Sequence, residues 1–257
     1  MRDGLQGRVV SGVSFGRSLL SRSTIGKTVL AACLLLPTMG MATLRADDYL
    51  PEVNQHLERA RLAMEAGQLS IALAHTRVIL HDEGLKVYFD LSGTPANQVE
   101  DCRTAATKAL EFWNQTVDNP NTLTQVEDPS LADIKVVFQR TVQLQGVEVG
   151  GYCQNSRYVS ARANGVATAQ FSATIFARYQ QPNGRPMSLA HLRNIVTHEF
   201  GHVFGLNDCT EPGHLMSPLN LNKPRYELNA EESEAVRALR ATAFDIQRNV
   251  LAKLKER

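Results

Sequence analysis

The chain has 257 residues, 43% of them hydrophobic and 21% charged, with a formal charge of +1. That balance describes an ordinary globular protein of one domain or two, and it offers no basic excess with which to bind nucleic acid.

Residues 1–42 read as a leader rather than as part of the fold. Arg2, Arg8, Arg17, Arg22 and Lys27 form a long basic lead, Thr28 to Ala42 is an apolar run broken by Pro37, and Gly40-Met41-Ala42 is a small-x-small cleavage site, with Ala46 a second candidate. The apolar run is too short and too interrupted for a permanent membrane span. The expectation is therefore a signal peptide, export to the periplasm, cell surface or medium, and no transmembrane span in the mature chain. Leu30-Ala31-Ala32-Cys33 also matches a lipoprotein box, but the apolar run continues past Cys33. The leader carries five basic residues and one acid, so the mature chain has a net charge of −3 and retains three cysteines, Cys102, Cys153 and Cys209.

In residues 43–82, Asp47 to Leu80 reads as a helical hairpin split at Gly67-Gln68, with Leu50, Val53 and Leu57 marking the first helix and Leu69, Ile71, Leu73 and Val78 the second. One helix pair cannot bury its apolar face alone, so it should pack on the domain C-terminal to it; a pro-segment is the functional alternative. Residues 83–257 then alternate strands and helices. Leu85, Val87, Phe89 and Leu91 give a half-buried strand. Val99, Cys102, Ala106, Leu110, Trp113 and Val117 recur at helical spacing. Asp118 to Ser130 reads as a loop, Ile134, Val136 and Phe138 as a second strand, and Gly146 to Gly151 as a turn leading into a short strand near Tyr152. Phe171, Ala173, Ile175 and Ala177 mark a later strand. Ser188 caps a helix whose core stripe is Leu189, Leu192, Ile195 and Val196. Asn229 with Glu232 opens a long final helix through a capping box.

The chemistry is concentrated in THEFGHVFGLNDCTEPGHLMSP, Thr197 to Pro218. His198 and His202, four residues apart, place two imidazoles on one helix face, where both reach one zinc ion. Glu199 points to the adjacent side and approaches a water on the metal without ligating it. Gly205 takes the left-handed conformation that ends the helix and turns the chain back. Asp208 brings a third donor, and Met216 lies as an apolar floor below the histidines. His214 is an alternative third ligand, and a glutamate from the last helix (Glu227, Glu231 or Glu232) a further one that leaves Gly205 and Met216 unexplained. The odd cysteine count permits one bridge at most; a Cys153–Cys209 pair would pin the loop beside Asp208.

This run resembles the metzincin signature, in which a third histidine follows the glycine by three residues. It is most similar to the matrixins, through the Asp208-to-Met216 interval and the Leu215–Pro218 turn. Aspartate in place of the third histidine is what snapalysin-type metzincins carry. The resemblance implies an α+β fold: a small catalytic domain with a twisted mixed sheet, a long helix, an active-site helix, a methionine turn and a C-terminal helix, here preceded by the helical hairpin. It implies a zinc metalloendopeptidase acting on protein or peptide substrates, which pair with a sheet edge expected at Phe171 to Arg178. The Asp/His-rich loop that holds further metals in many matrixins is missing from Gln170 to Met187, so a single catalytic zinc is expected. The PRCGxPD-type latency motif is absent as well, so no cysteine switch is expected. Three protein donors with one open position make the site catalytic rather than structural, with Glu199 as general base. A non-catalytic zinc-binding or interaction module that retains the fold is the alternative, and Glu199 argues against it.

Overall fold

Residues 48–162 and 165–256 are described by the computed structural model; the expected leader, with Cys33 and Ala46, lies outside them. Proline at the first helical position opens α1 (Pro51–Glu65), where its missing N–H costs no hydrogen bond. Gly67, at φ 72°, turns the chain into α2 (Leu69–Leu80). Val53, Leu57 and Ala60 of α1 are buried in the same core as Ala72, Val78 and Ile79 of α2. The pair does not stand apart, because α2 also packs on the last helix and on the sheet.

The sheet has five strands in the order β2-β1-β3-β7-β6. Here β1 is Leu85–Asp90, β2 Leu123–Gln125, β3 Ile134–Gln139, β6 Gly151–Ala161 and β7 Ala167–Arg178. All neighbours run parallel except β6 and β7, which are antiparallel from Gly151↔Ala177 to Ala161↔Ala167. A separate two-stranded ribbon, β4 (Val142–Leu144) and β5 (Val147–Val149), projects before β6 and turns at Gly146, φ 82°. Two expectations need correcting. The short strand near Tyr152 is eleven residues long, and it, not Phe171–Arg178, forms the sheet edge. Strand β7 is interior because β3 pairs with one side of it and β6 with the other. In addition, β2 lies inside the stretch expected to be loop.

Three helices carry the rest. The α3 helix (Val99–Thr116) buries Trp113, whose ring stacks on Phe204 at 4.6 Å and whose Nε1–H donates to the Thr197 carbonyl at 2.9 Å. This ties α3 to α4 (Leu189–Val203), which Ser188 caps by accepting from the His191 amide. The last helix, α5 (Ala230–Lys255), starts with the expected capping box, Asn229 and Glu232 exchanging side chain-to-backbone bonds. Cys102, Cys153 and Cys209 are all free thiols, so the Cys153–Cys209 bridge is not formed. Among the described residues, no helix is long and apolar enough to cross a membrane.

Candidate metal centre

Helix α4 delivers His198 and His202 one turn apart, with ring centroids 5.2 Å from each other. Each imidazole is oriented by a main-chain carbonyl. His198 Nδ1–H donates to Leu215 O and His202 Nδ1–H to Leu206 O, both at 2.9 Å. A carbonyl only accepts, so these bonds put the proton of the neutral ring on Nδ1 and leave Nε2 with a free lone pair, the state a metal requires. Asp208 faces both Nε2 atoms, its Oδ1 3.2 Å from His198 and 3.6 Å from His202. The three donor atoms lie within 4.8 Å of one another, so one ion can touch all three.

The electrostatics fit a cation. Glu199 is 3% exposed, and burial lifts its carboxyl to about 7. Its Oε2 is buried without any hydrogen-bond partner and lies 4.0 Å from His202 Nε2. For His198, burial works against the charged form, but the bond to Asp208, the Glu199 charge and the Leu215 carbonyl outweigh it and raise the ring to about 9. The hydrogen bond with His198 holds Asp208 below the usual carboxylate range, while burial lowers His202. Two carboxylates around a small pocket thus draw a proton onto a ring that metal binding needs neutral. A divalent ion bound by all three side chains would satisfy the same negative charge and leave both rings neutral.

His214 does not join this group. Its Nε2 lies 3.5 Å from Glu211 and 3.8 Å from Glu231, a separate and more exposed cluster. Glu232 is occupied elsewhere: Oε1 accepts from the Met216 amide and Oε2 from the Asn229 amide. Met216 is buried under α4. A Cβ built on Gly201 would lie 2.4 Å from its sulfur, so the glycine between Phe200 and His202 is what lets the methionine floor approach. Gly205, at φ +91°, ends the helix turn, and the Cys209 amide donates to Met216 O at 2.8 Å, joining the Asp208 loop to the methionine turn.

A cleft of about 710 Å³ runs past these groups between the start of β6, α4 and the segment after Met216. Tyr152, Met187, Ile195, Leu219 and Leu221 give it apolar walls. Sequence reasoning missed three contributors. Gly151 lets the edge strand pass over the carboxylate, with its site for a Cβ 2.8 Å from Glu199 Oε1. Arg157 donates to the carbonyls of His202 and Val203 from inside the protein. Leu50 donates to Gly205 O. A glycine at the start of a strand was a visible signal for the first; the other two are tertiary contacts with no local pattern.

A search among curated proteins finds no match to the chain. The matrixin family model matches residues 83–241, a span that holds the two histidines, Glu199, Asp208 and Met216 and leaves α1 and α2 outside. That is more than half of the chain, and the protein belongs to the matrixin family of zinc-dependent metalloendopeptidases.

Proposed function

We propose that the protein is an exported zinc endopeptidase in which His198, His202 and Asp208 are the protein donors to one catalytic metal and Glu199 is the general base. The observation that carries this is the pairing of three converging donors with a buried carboxylate oxygen, Glu199 Oε2, that has no other partner. A buried, unpaired acceptor costs on the order of 1–3 kcal/mol, more when charged, so its retention calls for an explanation that a proton-transfer role supplies. His198, His202 and Asp208 would hold a zinc ion, which when bound would supply Lewis acidity to the scissile carbonyl and the attacking water. Glu199 accepts the water's proton on Oε2 and hands it to the departing amine. Burial, which raises its carboxyl, favours uptake of the proton in the first transfer. The Leu215 and Leu206 carbonyls keep the imidazoles aimed throughout. Pro218 stands where some metzincins have a tyrosine two residues after the methionine, so that position supplies no phenol.

The substrate is read as an extended peptide that adds to the outer edge of β6, the strand bordering the cleft, by main-chain hydrogen bonds. The apolar walls favour an aliphatic or aromatic side chain next to the scissile bond. Export rests on the basic lead, apolar run and cleavage site of residues 1–42. Metal analysis combined with a peptide-library assay on the wild type and Glu199→Gln tests the proposal. One zinc per chain in both proteins, with hydrolysis in the wild type only, is the expected result. Zinc-loaded wild type that cleaves nothing supports the non-catalytic alternative instead.

A further inference from the structure

Only five residues, Val203 to Asn207, separate the second proposed donor from the third. Their backbone decides whether the short arm of Asp208 reaches the metal, because the Asp208 side chain itself is 74% exposed and cannot anchor the loop by packing. The anchors come from the far end of the chain. Tyr49 pairs with Leu206 in an antiparallel bridge, the Leu50 amide donates to Gly205 O at 2.9 Å, and the Asn207 amide donates to Asp48 O at 2.9 Å. Tyr49 is itself fixed: it is 1% exposed and its hydroxyl donates to Ala235 O of α5. Val53 fills the space beside Gly205, 3.2 Å from where a Cβ would stand.

The same segment reaches the other end of the loop. Glu52 pairs with Arg157, whose side chain is 1% exposed. Through Nη2, Arg157 donates to His202 O at 3.0 Å and Val203 O at 2.7 Å, so it caps the last turn of the helix carrying the metal donors. Asn155 and the face of Phe171 hold the guanidinium in place. Leu206 joins the two halves of this device, because its carbonyl orients the His202 ring while its backbone pairs with Tyr49. A shift of the Tyr49–Leu206 pairing therefore displaces two donors together.

Resting on the zinc-site reading above, we infer that residues 48–52 form a strap that, with Arg157, positions His202 and Asp208 for the metal. The helical hairpin is then a permanent part of the metal site's support, not a detachable pro-segment, although it lies outside the matrixin match. Contacts that orient metal donors set affinity by roughly 10–100-fold in well-studied sites.

Leu50→Pro tests this locally. It removes the donor to Gly205 O at a residue whose φ of −54° already suits proline. Glu52→Ala, at a half-exposed position, removes the carboxylate that pairs with the buried Arg157. Ile79→Val in α2 is a mild destabilisation away from the strap and serves as the control. Zinc Kd is measured by chelator competition, below the melting midpoint of each metal-free protein. The expected result is a Kd raised about tenfold or more in Leu50→Pro and severalfold in Glu52→Ala, with Ile79→Val at the wild-type value. Folded Leu50→Pro and Glu52→Ala that both bind zinc like wild type overturn the strap and leave the zinc site standing. If Leu50→Pro does not fold, Glu52→Ala decides alone. Wild type that binds no zinc at this site overturns both.

Discussion

Gly151 lies where the edge strand crosses the proposed catalytic base, and replacing it with alanine puts a methyl group into occupied space. The new carbon would stand 2.7 Å from Phe176 O, 2.8 Å from Glu199 Oε1 and 2.8 Å from Ile195 Cγ2. Carbon–oxygen contacts ordinarily sit at about 3.3–3.6 Å, so roughly 0.5 Å must be found. Phe176 O belongs to the backbone of the paired strand β7 and cannot yield without disturbing the β6–β7 ladder. The movement therefore falls on Glu199, on Ile195 of the same helix, or on the edge strand itself. Overpacking of this kind costs about 1–3 kcal/mol. That lowers the melting midpoint by about 2–4 °C for each kcal/mol in a chain of this size. A misplacement of about 1 Å can cost a hundredfold in rate, so half of that implies about a tenfold loss in kcat/KM. Gly150→Ala is the control. Its nearest obstacle is the tip of the Leu219 side chain at 3.1 Å, which can rotate away. Peptide hydrolysis and thermal melting on both variants decide the matter. Gly151→Ala with wild-type kcat/KM and melting midpoint would refute the packing argument.

Acid sensitivity follows from His81, which burial pushes down to about 3 while its ring nitrogen bonds Val203 O. Below about 6.5 the unfolded chain takes up a proton that the folded protein refuses, so stability falls as pH drops from 6.5 toward 3, by up to about 1.4 kcal/mol per pH unit. His75, pushed down to about 4 by burial, acts in the same direction. Melting of the metal-free protein between pH 6.5 and 5 should show this decline, and His81→Asn, which tolerates the left-handed φ of 53° at that position, should reduce it. A profile that His81→Asn leaves unchanged would contradict it. His214→Ala is expected to leave zinc affinity unchanged, because His214 faces Glu211 and Glu231 and not the Asp208 pocket; a large rise in Kd would reassign the third donor. Asp208→His raises the charge of the loaded site from +1 to +2 and should move the acidic limb of the rate–pH profile downward. No movement in a zinc-loaded variant would count against that electrostatic account.

The elements nearest the chemistry were legible because local rules decide them. Four-residue spacing placed His198 and His202 on one face of α4, Ser188 and the Asn229–Glu232 pair announced helix starts, and Gly205 announced the turn toward Asp208. Strands β1 and β3 showed their alternation because one set of side chains is fully buried. Strand β6 did not. As an edge strand it is only half covered, and its sequence, Gly-Tyr-Cys-Gln-Asn-Ser-Arg-Tyr-Val-Ser-Ala, shows no apolar period for most of its length. Which strand takes the edge depends on pairing between segments, and no local pattern encodes that order. Arg157 reads as an ordinary solvent-facing charge; its burial follows from distant partners meeting it in space, Glu52 105 residues away and the His202 and Val203 carbonyls. The bridge between Tyr49 and Leu206 is invisible for the same reason.

Zinc-edge anomalous diffraction on crystals of the loaded protein addresses the central assignment most directly. The expected result is one strong peak bonded to His198 Nε2, His202 Nε2 and an Asp208 carboxylate oxygen at about 2.0–2.2 Å, with Glu199 near it but not coordinated. A peak held instead by His214 with Glu211 and Glu231, or a zinc ion ligated by Glu199 itself, would contradict the proposed centre and the base role derived from it.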